Sequence, residues 1–150
     1  MALVGINQDE KAIKVLTKAV KNDPKDERSW LHLALAKRNL EDFEDARKDV
    51  AKVLAISPNS EDALMLNADI LNKAGHISAA LDAGRKALKI VPSNINLLKL
   101  TATLSSGQGM IDEALSLRHQ AVAVAPQSVG ILKALASQLL MSGRQADARS

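Results

Sequence analysis

The stretch from Pro58 to Pro92 carries apolar residues at helical spacing, with one glycine, Gly75, near the middle. Steps of three and four residues place apolar side chains on one face of a helix. Proline removes a backbone donor and clashes with the preceding turn, so it marks a helix boundary. The pattern predicts one helix before Gly75 and a second between Gly75 and Pro92. The apolar positions are Leu64, Leu66, Ala68, Ile70, Leu71 and Ala74 in the first helix, and Ile77, Ala80, Leu81, Ala87, Leu88 and Ile90 in the second.

The same arrangement recurs along the whole chain with a constant period, because the differences 58 − 24, 92 − 58 and 126 − 92 are equal. A fixed period of this size is the sequence signature of a helical-repeat protein. Polar residues beside the prolines, Asp23, Ser57 and Ser93, are predicted to cap the helices that follow. The residues that share the period are the prolines Pro24, Pro58, Pro92 and Pro126, the alanines Ala12, Ala46, Ala80, Ala114 and Ala148, a second alanine set Ala34, Ala68, Ala102 and Ala136, and the glycines Gly75, Gly109 and Gly143.

The motif Trp30-x2-Leu33-Ala34, followed by Ala46-x3-Val50 and Pro58, resembles the tetratricopeptide repeat. That family repeats a helix–turn–helix unit with a period of about 34 residues. The small residues and the prolines match best, whereas Lys37 stands where the family commonly has tyrosine. The resemblance covers the chain and implies an all-α, right-handed superhelical solenoid of antiparallel helix pairs.

The period also predicts where the repeats begin and end. We expect one domain over residues 1–150, with repeats at about 1–26, 27–60, 61–94, 95–128 and 129–150, of which the first and last are incomplete. Counting back from Pro24 puts Met1 inside a first helix and residues 10–23 in a second, and the chain stops at Ser150 just inside the second helix of the fifth repeat. We therefore expect a fragment of a longer chain whose uncapped ends self-associate or fray.

The search for catalytic or metal-binding groups gives no candidate, so we expect no enzyme activity and no cofactor. His32, His76 and His119 fall at different places in the repeat and lack the i, i+4 spacing of a helical metal pair. Gly107-Gln108-Gly109 is rich in glycine, but a dinucleotide-binding loop follows a strand, and none is predicted. With no cysteine, the chain has no disulfide framework and no thiolate metal site.

The family resemblance implies a protein-interaction scaffold that binds a peptide or helix of a partner in a concave groove. By resemblance, the second, fifth, ninth and twelfth positions of each repeat face this groove. An apolar patch of Leu31, Leu35 and Met65 with charged neighbours suits such a ligand; alternatively, these leucines pack against the neighbouring helix. The predicted groove residues are Arg28, Leu31, Leu35, Arg38, Asp62, Met65, Asp69, Asn72, Asn96, Lys99, Thr103 and Lys133, with Ser106, Ser137 and Leu140 at the remaining equivalent positions.

Two further functions stay open at this point. Similar arrays precede glycosyl- or sulfotransferase domains, so the chain could recruit a substrate or partner for a larger enzyme. A basic stripe on the outer face could bind nucleic acid or an anionic membrane. The net charge of only +3 and the lack of an aromatic platform make a solvated face the better interpretation of this stripe. Its residues are Lys14, Lys18, Lys48, Lys52, Lys86 and Lys89.

The N-terminus lacks the basic start and the long apolar run of a signal peptide, so a cytoplasmic location is the default expectation. No uncharged stretch is long enough to predict a membrane span.

One position of the repeat departs from the pattern. Gly84 and Arg118 stand where Leu16 and Val50 place a large apolar residue. A glycine inside a helix costs about 1 kcal/mol relative to alanine. We expect the aliphatic stem of Arg118 to fill the space that Gly84 leaves.

Overall fold

A computed structural model describes residues 2–149, and these form eight α-helices and no strand. The prediction of an all-α helical-repeat fold is confirmed. The chain divides into two compact units, which we call unit 1 (Met1–His76) and unit 2 (Ile77–Ser150). No helix within residues 2–149 has the length and apolarity that crossing a bilayer requires. The helices are α1 (Ala2–Asn22), α2 (Glu27–Asn39), α3 (Phe43–Ile56) and α4 (Glu61–Lys73) in unit 1, and α5 (Ile77–Ile90), α6 (Ile95–Gly107), α7 (Ile111–Val124) and α8 (Val129–Arg149) in unit 2.

Each proline of the repeat lies at the second position of a β-turn between two helices. Proline suits this position because its ring fixes φ near the value that the turn requires. The preceding helix has already ended, and the next begins shortly after the proline. The four closing hydrogen bonds run from Asp26 N to Asp23 O (3.2 Å), from Ser60 N to Ser57 O (3.1 Å), from Asn94 N to Val91 O (3.2 Å) and from Ser128 N to Ala125 O (3.1 Å).

These turns correct the predicted helix caps. Asp23, Ser57 and Ser93 are not the N-caps, because each lies within a β-turn, before the residue that closes the turn and precedes the helix. Asp23 instead accepts a hydrogen bond from the backbone N–H of Lys25 (3.1 Å). The residues that cap the helices through their side chains share the period of the repeat: Asp26 accepts from Arg28 N (3.1 Å), Ser60 from Ala63 N (3.4 Å), Asn94 from Leu97 N (3.0 Å) and Ser128 from Ile131 N (3.5 Å).

The first helix of each complete repeat ends in a left-handed residue. Gly75 and Gly109 have φ of +82° and +78°, whereas the equivalent residue in the first complete repeat is Glu41, with φ of 63°. The next residue then donates its N–H to the carbonyl five positions back, which satisfies a carbonyl at the helix end. These bonds are Asp42 N to Lys37 O, His76 N to Leu71 O and Met110 N to Ser105 O, each 2.9 Å long.

The first and last helices differ from the prediction. The chain was expected to turn before residue 10 and again at Gly143, but α1 is one helix over Ala2–Asn22 and α8 is one helix over Val129–Arg149. Asn7 occupies in α1 the position equivalent to Glu41, but here the backbone stays helical. Gly143 permits such a turn without imposing it, because glycine is also compatible with helix.

Each unit contains its own apolar core, in which alanine lets helices approach closely. A one-methyl side chain allows axes near the short end of the usual range of about 8–10 Å. The core cluster of unit 1 consists of Ala34, Ala46, Val50, Val53, Ala63 and Ile70. The cluster of unit 2 consists of Leu98, Ala102, Leu117, Ala121 and Ile131.

The expectation that Arg118 fills the space at Gly84 is wrong. A Cβ added to Gly84 would lie well inside van der Waals contact of Oγ1 of Thr101, so Thr101 on α6 occupies this space. Arg118 instead donates its Nε hydrogen to Oε1 of Gln138 on α8 (3.3 Å). The glycine brings α6 close to α5, and a side chain of the facing helix fills the gap. Burial lowers the pKa of Arg118.

Candidate functional site: a pocket between α2 and α4

In unit 1, α2 and α4 form an open pocket of about 710 Å³. Both helices begin immediately after their side-chain caps, Asp26 and Ser60, so equivalent positions of the two repeats face the same space. On each helix the pocket residues follow spacings of three and four, which place them on one face. The pocket is lined by Arg28, Leu31, His32, Leu35 and Arg38 from α2, and by Asp62, Met65, Leu66 and Asp69 from α4.

The floor of the pocket is apolar. Leu31 and Leu66 are half-buried and pack against the core cluster of unit 1 while they still line the pocket. Met65 is half-buried as well, and Leu35 is 38% exposed. Leu31 thus packs inward while it lines the pocket, and Leu35 stays accessible.

The two helices contribute charged side chains of opposite sign to the pocket. Those on α2 are the cations Arg28 and Arg38, whereas those on α4 are the carboxylates Asp62 and Asp69. The pocket thus has one positive wall and one negative wall on either side of the apolar floor.

At one end the two walls are joined by an ion pair between Arg38 and Asp69, whose side chains are 22% and 19% exposed. Arg38 also donates from Nη2 to Oδ1 of Asn39 (3.1 Å), while its buried Nε has no hydrogen-bond partner among the described residues. At the other end, Arg28 and Asp62 make no salt bridge and no side-chain hydrogen bond to any side chain that the structure describes. An ion pair bridges the pocket at one end, and the other end carries two opposite charges that form no salt bridge.

A second ion pair holds α2 against α3 behind the pocket. Nζ of Lys37 lies 2.7 Å from Oδ2 of Asp49, and the Asp49 side chain is only 7% exposed. Burial raises the pKa of Asp49, although the ammonium of Lys37 opposes that shift. This pair fixes the helix that supplies the positive wall.

The structure brings together seven of the predicted groove residues around this pocket: Arg28, Leu31, Leu35, Arg38, Asp62, Met65 and Asp69. Asn72 is half-buried on α4 outside the pocket lining. The remaining predicted residues belong to unit 2, where Asn96, Lys99 and Thr103 are exposed on α6 and Lys133 is exposed on α8. The role of all these residues in binding stays a prediction.

Sequence reasoning missed two lining residues, His32 and Leu66. His32 follows Arg28 by one helical turn, and Leu66 follows Asp62 by the same interval. The i, i+4 rule applied to the predicted groove positions would have found both.

The six lysines of the predicted basic stripe are all exposed. They lie on the second helix of each pair, at Lys14 and Lys18 on α1, Lys48 and Lys52 on α3, and Lys86 and Lys89 on α5. Lys48 is neutralised locally by Asp45, with Nζ and Oδ1 2.8 Å apart. Among the described residues, no cluster of three or more His, Cys, Asp or Glu side chains could hold a metal ion.

Comparison with known proteins gives a family and a fold. A family model described as tetratricopeptide repeat matches residues 2–61 and 33–95. No curated protein matches the sequence.

Several solved structures share the fold. A crystal structure of MamA is 17% identical with a TM-score of 0.79, over 91% of this chain and 80% of that one. MamA from Desulfovibrio magneticus RS-1 is 19% identical with a TM-score of 0.77, over 94% of this chain and 80% of that one. YrrB, described as a tetratricopeptide repeat protein with an unusual peptide-binding site, is 18% identical with a TM-score of 0.70, over 94% of this chain and 73% of that one.

Proposed function

The chain belongs to the tetratricopeptide repeat family, and we propose that it binds a peptide or helix of a partner protein in the pocket between α2 and α4. Tetratricopeptide repeats are protein-interaction scaffolds and are typically not catalytic. The partner's segment lies on the floor formed by Leu31, Leu35, Met65 and Leu66, with the charged walls on either side.

The observation that carries the proposal is the combination of an accessible apolar floor and a charged rim in one pocket. Apolar contacts at the centre of an interface supply most of the affinity, and the polar rim sets register and specificity. The volume of about 710 Å³ lies within the range of about 300–1,000 Å³ that is usual for ligand pockets. The peptide-binding site described for YrrB supports the same use of this fold.

The proposal is tested with peptides selected from a random 12-residue display library against the intact chain. The dissociation constant of each selected peptide is measured by fluorescence anisotropy for the wild type and for Leu35→Glu. Leu35 is 38% exposed, so a glutamate there is accommodated without a core defect. We expect Leu35→Glu to weaken binding at least about tenfold, because it places a charge on the apolar floor.

The matched control is Thr103→Glu, which changes the equivalent exposed position of α6 (35 + 34 + 34 = 103). It should leave peptide affinity within about twofold of the wild type. Peptides that bind Leu35→Glu as tightly as the wild type would contradict the proposed site, and so would a library that yields no binder. Circular dichroism melting of both variants verifies that the fold is intact.

A further inference from the structure

The two charges of the pocket that form no salt bridge, Arg28 and Asp62, restrict the chemistry of its occupant. Arg28 and Asp62 occupy equivalent positions of consecutive repeats (28 + 34 = 62), one on each wall. Neighbouring helix axes in proteins usually lie about 8–10 Å apart. Arg28 and Asp62 do not pair with each other, although Arg38 and Asp69 do so across the same two helices.

The bridged end of the pocket lies well away from these two charges. At 1.5 Å per residue, Arg38 is about 15 Å along α2 from Arg28, and Asp69 is about 10 Å along α4 from Asp62. The apolar floor lies between the two ends. An occupant that covers the floor therefore reaches Arg28 on one side and Asp62 on the other.

Resting on the proposed function, we propose that the pocket selects a peptide segment in which an apolar side chain lies between an acidic and a basic side chain. The acidic group pairs with Arg28, the basic group pairs with Asp62, and the apolar group covers Leu31, Leu35 and Met65. A purely acidic segment would meet the carboxylates of α4, and a purely basic segment would meet the arginines of α2. Like charges brought together at an interface oppose binding.

The two charge contacts differ in strength. Arg28 lies in the first turn of α2, where the backbone already favours a negative group, so an incoming carboxylate meets both the guanidinium and the helix dipole. Asp62 lies in the first turn of α4, where the same dipole opposes an incoming cation. The Asp26 carboxylate, which accepts from the N–H of Arg28 and the hydroxyl of Ser29 (2.5 Å), keeps its charge and also interacts with the guanidinium of Arg28. The helix dipoles therefore favour the acidic contact over the basic one, and the charge of Asp26 reduces this difference.

The test selects the same library on the wild type and on the charge-exchanged variant Arg28→Asp/Asp62→Arg. We expect the wild-type pool to be enriched in one order of acid, apolar residue and base along the peptide, and the exchanged variant to select the reverse order. A peptide from the wild-type pool should bind the exchanged variant about tenfold more weakly. The difference should shrink in about 1 M salt, where the Debye length is about 3 Å.

A matched control is Asn96→Asp, because Asn96 is the exposed equivalent of Arg28 and Asp62 in unit 2 (62 + 34 = 96). It should leave the selected order unchanged. Two outcomes would overturn this inference and leave the proposed pocket intact, provided that the peptides still lose affinity with Leu35→Glu. In the first, the selected peptides show no preferred order of acidic and basic residues. In the second, they show the same order on both proteins. A library without peptides sensitive to Leu35→Glu would overturn both. Melting curves of the exchanged variant check its fold, since Asp62→Arg opposes the dipole of α4.

Discussion

In unit 1, Leu31 and Met65 occupy the repeat position that Lys99 and Lys133 occupy in unit 2 (31, 65, 99, 133 in steps of 34). The neighbouring position holds Leu35 and Asp69 in unit 1 but Thr103 and Ser137 in unit 2. Unit 1 therefore presents an apolar floor with charged walls, and unit 2 presents exposed lysines and hydroxyls on the same face of its first helices.

The units also differ in one interior position. Val50 of α3 is buried at 1% exposure in the core of unit 1. Its equivalent in unit 2 is Gly84 of α5, where Thr101 fills the space. The shared alanines, by contrast, are fully buried in both units at Ala34, Ala68 and Ala102.

Two kinds of position differ here: positions that the repeat fold requires, and positions on the exposed face that are available for binding. Alanine and proline must recur, because each helix pair needs the same close approach and the same turn. Positions on the exposed face carry no such requirement and can diverge. The apolar face of α2 and α4 is thus a property of unit 1 and not of the fold, which supports placing the binding function there.

The largest expected effect comes from exchanging the two interior residues. Val50→Gly should lower the free energy of unfolding by about 3 kcal/mol, because it removes a buried valine worth about 2 kcal/mol and adds a helix glycine worth about 1 kcal/mol. Gly84→Val should lower it by about 1–3 kcal/mol, because its side chain would collide with Thr101. Urea denaturation followed by circular dichroism measures both.

A second substitution tests whether the contact with Thr101 causes the destabilisation at position 84. Thr101→Ala removes the hydroxyl that an added Cβ would strike, so Gly84→Ala should be destabilising in the wild type and stabilising in the Thr101→Ala background. An equal effect of Gly84→Ala in both backgrounds would show that the two residues do not interact.

A smaller effect is expected at the turns that close the first helices. Glu41 has a positive φ of 63°, where Gly75 and Gly109 hold the equivalent positions. Left-handed backbone costs a residue with a Cβ about 1 kcal/mol or more. Glu41→Gly should therefore raise the free energy of unfolding by about 0.5–1 kcal/mol after the entropy of glycine in the unfolded chain is deducted.

The paired controls are Gly75→Ala and Gly109→Ala, which introduce the same strain and should each cost about 1 kcal/mol. Thermal melting of the three variants compares the three turns directly. If Glu41→Gly were neutral while both alanine variants were destabilising, the Glu41 side chain would have to offset its strain by another contact.

The sequence predicted the helix pairs well, because the period is carried by residues that the fold requires, Pro58 and Ala68 among them. The caps were predicted wrongly, because spacing alone did not reveal the β-turn around each proline, and the capping residue is the one that closes this turn. A turn at Gly143 was also predicted wrongly. The spacing shows that a glycine there permits a left-handed turn, but it does not show which backbone conformation the glycine adopts. The charge separation of the pocket was not foreseen: the family resemblance identified Arg38 and Asp69 as groove residues, but only the packing of α2 on α4 joins them.

The smallest expected effect is on the pH dependence of stability, to which one acidic residue in each unit contributes. In unit 1, burial raises the pKa of Asp49 from its usual value near 3.8. In unit 2, the guanidinium of Arg85, whose Nη2 lies 2.7 Å from Oε2 of Glu113, lowers the pKa of Glu113 from its usual value near 4.5. The two shifts have opposite signs, so they affect stability in opposite directions as pH changes.

Asp49 binds its proton more tightly in the folded chain, so its contribution to stability decreases as pH rises from about 3.8 through its folded pKa. Glu113 releases its proton more readily in the folded chain, so its contribution is present above about 4.5 and is lost as pH falls through its folded pKa. Urea midpoints between about pH 3 and pH 7 should thus show the advantage of the wild type over Glu113→Gln growing with pH. The stability of the wild type relative to Asp49→Asn should decline over the same range. Parallel pH curves for the wild type and Asp49→Asn would mean that Lys37 offsets the burial of Asp49 completely, so that the ion pair costs unit 1 nothing relative to a neutral side chain.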